Sequence, residues 1–252
     1  MRAASAGWAA DRRTDGTRPL VSVAGLGHQP PMRVYSLESH RVAIELADRF
    51  MRVVRDAQPQ VVLDAGAWDA SLAKACAVEA PDAAIHAFEA NPYVYEKKAA
   101  KVVGTGVSYH HLAVGAEVGA ATFSVVRRAK GKDASPKTGS NSMRRRLSGN
   151  IEYEDIQVPM TTIDAFAEEH GLLGRSCALW VDLEGCAYEG LSGARRMLDT
   201  TLVIMVEVEA RPLWMGQKTA DDVEALLNGF GFVQIGRDQQ FGDQYNVLYA
   251  PS

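Results

Sequence analysis

Cysteine is scarce and unpatterned. The 252 residues hold three, Cys76, Cys177 and Cys186, an odd number without metal-ligand spacing. A reduced, cytoplasmic compartment is therefore expected. A basic surplus is also missing: 27 Lys and Arg against 31 Asp and Glu leave a formal net charge of -4. That balance argues against a non-specific nucleic-acid binder. No apolar run in the sequence reaches the roughly 20 residues that cross a bilayer, so no membrane span is expected. What is present is a 47% hydrophobic content, enough for a substantial core in one domain with appendages.

Residues 1–31 are rich in Ala, Arg, Gly and Pro. They show no periodicity and lack the continuous apolar core of a secretory signal. They are expected to be a disordered arm, or to precede a later start at Met32, where patterning begins. Residues 32–252 then form a single domain. Its helical lead-in, 36–56, carries apolar residues at Val42, Ile44, Leu46, Ala47, Phe50, Val53 and Val54, with Ser39 as candidate N-cap.

The most informative stretch is 60–75. Val61-Val62-Leu63 runs into Asp64, Gly66 follows, and a helical pattern continues through Leu72 and Ala75. This is a buried strand, a tight turn and a helix whose N-terminus faces a ligand. Small residues let backbone approach that ligand closely. One such turn is a weak signal, but a second mark follows. The strand at 85–88 ends in Glu89, roughly 20 to 25 residues beyond the glycine turn, where an acid bonds ribose hydroxyls in dinucleotide-binding and related folds. Asn91 and Pro92 then open a helix, with the proline near its first position.

Further strands are read at 107–113, 122–126 (an extra, edge strand), 156–160, 178–181, 202–208, 232–235 and 246–249, with helices from 161, 185 and 221. Strands alternate with helices through residue 208 and a hairpin-like pair closes the chain. That order predicts an α/β fold, a mostly parallel sheet with helices on both faces and an antiparallel final strand. Asp64, Glu89, Asp182 with Glu184, and Glu207 with Glu209 end strands, so they should surround one cleft beyond the carboxyl edge. The polar stretch 127–150, with its run Arg144-Arg145-Arg146, is read either as solvated surface or as a mobile, substrate-facing loop whose cations meet an anionic group. His110 and His111 are left out of catalysis.

Four blocks in order, Asp64-Ala65-Gly66-Ala67, Phe88-Glu89-Ala90-Asn91-Pro92, Thr161-Thr162-Ile163-Asp164 and Val181-Asp182-Leu183-Glu184-Gly185 with Gly193-Ala194, resemble the FkbM family of S-adenosylmethionine-dependent methyltransferases. The resemblance implies a class I, Rossmann-like methyltransferase fold with a seven-stranded sheet and S-adenosyl-L-methionine at its carboxyl edge. It further implies O-methylation of a hydroxyl on a sugar, glycoside or polyketide-type secondary metabolite. Cofactor contacts would come from Asp64, Gly66, Ala67, Trp68, Glu89, Ala90 and Asn91. Two departures stand out. The family's first loop continues Asn-x-Gly, where this chain has Trp68-Asp69-Ala70, and an acid often found after the Glu-Gly-small triplet is here Ala187.

Proton removal from the acceptor falls to Asp182 or Glu184, with Glu207 and Glu209 next. Mg²⁺ held by Asp182, Glu207 and Glu209 is the open alternative. The expected partner is a small-molecule or carbohydrate acceptor rather than nucleic acid, with a homodimer left open. Two other classes compete: a nicotinamide-dependent oxidoreductase, which would prefer the full G-x-G-x-x-G turn that Ala67 and Ala70 do not supply, and a non-catalytic nucleotide-binding module.

Overall fold

The computed structural model describes residues 37–139, 141–239 and 242–252, together with a short antiparallel ladder pairing Trp8–Ala9 with Ser22–Val23. Apart from that ladder, the expected N-terminal arm lies outside the described residues. In chain order the elements are α1 (Leu37–Ala57), β1 (Val61–Ala65), α2 (Ser71–Glu79), β2 (Ala84–Glu89), α3 (Pro92–Lys98), β3 (Val107–His111), β4 (Ala113–Val114), β5 (Gly119–Ala129), β6 (Lys132–Asp133) and β7 (Ile151–Thr161). They continue as α4 (Ile163–Glu169), β8 (Cys177–Val181), α5 (Ala187–Ser192), α6 (Arg195–Leu198), β9 (Thr201–Glu209), α7 (Ala220–Gly229), β10 (Phe232–Arg237) and β11 (Gln244–Pro251).

Seven strands form one sheet in the order β10-β11-β9-β8-β1-β2-β3. All neighbours are parallel except where β11 inserts antiparallel between β9 and β10. The central strand β1 is buried along its whole length, as expected where helices cover both faces of a parallel sheet. Alternation divides its residues between two cores. Leu63 packs with Phe88, Phe166, Leu179 and Leu191 on one face. Val62 packs with Phe50, Val54, Leu72 and Ala87 on the other. The three cysteines are free and buried. No helix among the described residues is long and apolar enough to cross a membrane.

A second sheet, β4-β7-β5-β6, was not legible in the sequence. The stretch read as one strand, 107–113, divides at Leu112: β3 stays in the main sheet, and β4 leaves to pair with β7. The segments expected at 122–126 and 156–160 are the middles of two 11-residue strands, β5 and β7, paired antiparallel from Gly119↔Met160 to Ala129↔Ile151. Their shared core is small, built on Ala113, Phe123, Val125 and Val158. Each strand buries only a few of its 11 residues, and their paired ends bring Arg127 and Arg128 alongside Glu152 and Glu154, which hid their length.

The 127–150 stretch, read as solvated surface or as a mobile loop, carries local structure in its described residues. It begins in β5, turns through the β5–β6 hairpin, and returns as a strap along the main sheet. Ser142 bridges to Ser124 and Arg146 to Trp214. The Leu147 N–H donates to the Leu213 carbonyl at 3.0 Å, and the Met215 N–H to the Arg145 carbonyl at 2.8 Å. Each arginine of the run meets one of the protein's own acids: Arg144 with Glu189, Arg145 with Asp155 and Arg146 with Glu184.

Candidate active site

The tips of β1, β2 and β8 are stitched together by backbone. The Gly66 and Ala67 N–H groups both donate to the Phe88 carbonyl, at 3.0 and 2.8 Å, and the Asp182 N–H donates to the Ala65 carbonyl at 2.8 Å. Gly66 has φ +87°, and a Cβ there would lie 1.7 Å from the Asp182 carbonyl oxygen. Only glycine fits this turn. Trp68 and Ala70 follow with φ of 46° and 54°, the left-handed region that side-chain-bearing residues seldom occupy. Asp69 between them accepts from the Ser71 N–H and hydroxyl and pairs with Lys98 at 3.3 Å.

Glu89, at the end of β2, is buried. Its carboxylate accepts the Asn91 N–H at 2.6 Å, and burial pushes its pKa up to about 8 against that bond. The Asn91 side chain is used at both ends. Its Oδ1 accepts the Tyr93 N–H to cap α3, and its Nδ2 donates to the Pro136 carbonyl at 2.7 Å. Asp64 accepts the Ala73 N–H, and burial raises its pKa to about 7. Its Oδ2 has no hydrogen-bond partner among the described residues.

Over these strand tips lies a cleft lined by apolar and polar side chains together, the mixture found in small-molecule sites. Of the expected residues, Gly66, Trp68, Glu89, Ala90, Asn91, Asp182 and Glu184 line it. Asp64 and Ala67 are not among the lining residues, and neither are Glu207 and Glu209. The lining also includes Thr138, Gly139, Asn141 and Met143 together with Phe123 and Leu112. One of the two sequence readings turned the 127–150 stretch toward the substrate but did not single out these residues.

The acids at the other end of the cleft form one cluster. Asp182, Glu184 and Glu207 offer carboxylate oxygens all within 4.8 Å of one another. The neighbouring Asp182 carboxylate adds to burial in raising the pKa of Glu207. Glu207 also accepts from Gln244 Nε2 at 2.7 Å, and Glu209 accepts from Gln217. Glu209 thus turns to Gln217 while Glu184 takes the third place, unlike the expected trio of Asp182, Glu207 and Glu209. Burial raises every pKa in the group, Asp182 to about 6 and Glu209 to about 7, and it carries Glu184 and Glu207 well above the usual carboxylate range. One cation enters from the strap: Arg146 lies 4.0 Å from the Trp214 ring centroid and 3.6 Å from the Glu184 carboxylate. Glu184 has φ 47°, and a Cβ on the next residue, Gly185, would stand 2.3 Å from the Trp214 ring.

A glycine turn that admits no side chain, an acid at the end of β2 and the buried carboxylates near the ends of β8 and β9 are thus gathered at the carboxyl edge of one parallel sheet. The family described as the methyltransferase FkbM domain matches residues 60–233, and the chain belongs to it. Strand order and family together make this a class I methyltransferase fold. Membership makes the chain a methyltransferase domain and supports S-adenosylmethionine as its methyl donor.

Among solved structures, a methyltransferase FkbM from Methylobacillus flagellatus KT aligns with TM-score 0.47 and 10% identity, over 77% of this chain and 44% of that one. This chain therefore spans under half of that protein's length. A precorrin-6y C5,15-methyltransferase from Geobacter metallireducens GS-15 aligns with TM-score 0.45 and 12% identity, over 82% and 88% of the two chains. A magnesium protoporphyrin IX methyltransferase from Synechocystis PCC 6803, with bound SAM, aligns with TM-score 0.44 and 10% identity, over 88% and 87%. No curated protein matches the chain.

Proposed function

We propose that this protein transfers a methyl group from S-adenosylmethionine to a hydroxyl oxygen of a small polar acceptor, a sugar, glycoside or polyketide-type metabolite. When bound, the cofactor supplies an electrophilic methyl group on a sulfonium centre. The protein's own contribution is alignment and proton removal. Gly66, Trp68, Glu89, Ala90 and Asn91 form the cofactor wall, with Asp64 and Ala67 supporting the turn from behind. Alignment in a closed, water-poor cleft can contribute about 7 to 11 kcal/mol in the ideal case. Asp182 receives the acceptor's proton, and Glu184 beside it orients the acceptor hydroxyl.

The observation that carries this reading is the position of Asp182. It lines the cleft, and burial raises its pKa to about 6, so a carboxylate of raised basicity faces the reaction space. Incubation with S-adenosylmethionine and a panel of glycosides and polyketides, read by mass spectrometry, should show the gain of one methylene. Asp182→Asn should abolish that gain while binding S-adenosylmethionine as the wild type does. Gain on an amine or carbon centre alone would sink the O-methylation reading.

A second reading is favoured by one observation, the mutual 4.8 Å spacing of the Asp182, Glu184 and Glu207 oxygens. Three hard oxygen donors suit Mg²⁺, which would polarise the acceptor hydroxyl there. Loss of turnover on chelation, restored by Mg²⁺, would select this form; turnover that survives chelation would remove it.

A further inference from the structure

We propose that Thr138 is a further cofactor-binding residue whose hydroxyl bonds the nucleoside half of S-adenosylmethionine. The proposal rests on the donor assignment above. Thr138 lines the cleft, and its Oγ1 is buried without a hydrogen-bond partner among the described residues. A buried hydroxyl left unpaired carries a desolvation cost, so such groups in native proteins call for a partner.

The surrounding segment is held too firmly for the hydroxyl to escape by local rearrangement. The Thr138 N–H donates to the Ser135 carbonyl at 3.2 Å, and the Thr138 carbonyl accepts from Asn141 Nδ2 at 2.8 Å. The same Nδ2 also donates to the Pro136 carbonyl at 2.8 Å, while Asn141 Oδ1 accepts the Val126 N–H at 2.7 Å. The Ser135, Pro136 and Thr138 carbonyls and both ends of the Asn141 amide are thus in use, whereas the threonine hydroxyl has no partner among the described residues.

Tethering decides which half of the ligand it meets. The Pro136 carbonyl is bonded to Asn91 Nδ2, and the Asn91 N–H is bonded to the Glu89 carboxylate. Thr138 therefore hangs from the strand tip that faces the ribose. Ser142, four residues further along, donates instead to the Glu184 carbonyl at 2.7 Å and belongs to the acid end. The cleft that Thr138 lines also has Val94, Leu112 and Phe123 in its wall, apolar surface suited to the flat face of a base. The hydroxyl then meets the polar edge of that base or its sugar.

Calorimetry on Thr138→Val and Thr138→Ser with two probes, S-adenosylmethionine and 5′-methylthioadenosine, tests this without an acceptor. Thr138→Val should weaken both probes about three- to tenfold, the range of one net hydrogen bond, and Thr138→Ser should restore them. Free Thr138→Val should melt no lower than the wild type, because an unpaired hydroxyl has been removed, yet gain less from added ligand. Unchanged affinity for both probes overturns the proposal. Weakening of S-adenosylmethionine alone overturns the nucleoside assignment, since the contact would then lie on the amino-acid half. Failure of wild-type protein to bind either probe overturns the donor assignment itself.

Discussion

Gly66 and Asp182 are in backbone contact across the two central strands: a Cβ on Gly66 would stand 1.7 Å from the Asp182 carbonyl oxygen. The turn that shapes the cofactor wall and the strand tip that carries the proposed base thus set each other's position. Gly66→Ala meets backbone rather than a movable side chain, and it also forces alanine to φ +87°. A loss of about 3 kcal/mol or more is expected, from strain of about 1 to 3 kcal/mol plus the clash. Thermal unfolding checks it, and a variant that melts with the wild type would show that the two tips are not in contact.

Ala70 adopts φ 54° and is fully buried. The left-handed conformation costs a non-glycine residue about 1 to 2 kcal/mol, whereas losing a buried methyl costs about 0.8 kcal/mol. Ala70→Gly should therefore be neutral or stabilising by up to about 1 kcal/mol. Ala70→Val, β-branched in the same conformation, should lose more than about 2 kcal/mol. Urea unfolding of the pair reads both. A marked loss in the glycine variant would mean that φ at this position is ordinary.

That pair of residues also shows what the sequence could and could not reveal. Where the family pattern continues Asn-x-Gly, this chain has Trp68-Asp69-Ala70, and the structure shows why the pattern exists: positions 68 and 70 are both left-handed, the region asparagine and glycine tolerate best. The main sheet was legible because β1, β8 and β9 are continuous apolar runs closed by acids. The second sheet was not, because β5 and β7 bury only a few residues each. That the 127–150 stretch faces the substrate was one of two open readings, but its individual residues could not be singled out: Thr138 and Asn141 belong to a strap held by side-chain and backbone hydrogen bonds, which leave no periodicity. The charges of the arginine run were legible, but its partners were not: Glu189 and Glu184 are distant in sequence, and Asp155 lies on β7.

His86 supplies a pH-dependent contribution to stability. Its Nδ1 lies 3.1 Å from His110 Nε2, and Phe166 packs against its ring. Burial first, then the neighbouring His110 and His170, hold its pKa down at about 4, against an ordinary 6.5. The unfolded chain binds the proton more readily, so this contribution is complete above pH 6.5 and is lost as pH falls toward 4. The buried carboxylates Asp64, Glu89 and Asp182, whose values are raised, pull in the opposite direction. The His86 effect must therefore be read as a difference. Relative to His86→Gln, wild-type stability should fall by about 2 kcal/mol between about pH 7.5 and about pH 5. Parallel curves for the two proteins would contradict a neutral, buried His86.

Arg146 and Glu184 form an ion pair whose side chains are only 12% and 10% exposed, so solvent screens it little. Removing the cation would leave Glu184 among Asp182, Glu207 and Glu209 without its counter-charge, either buried and charged or made to take up a proton, since burial already raises its pKa. Breaking such a pair from one side costs about 3 to 5 kcal/mol, mostly the penalty on the charge left behind. Arg146→Met should accordingly lose about 3 kcal/mol by urea unfolding, including the stacking of its guanidinium on Trp214. In Arg146→Met with Glu184→Gln the stranded charge is gone, so the double variant should recover at least about 1 kcal/mol over the single one. Strictly additive losses would show that the arginine acts through its packing on Trp214 alone. The acid cluster would then have to balance its charge entirely by taking up protons.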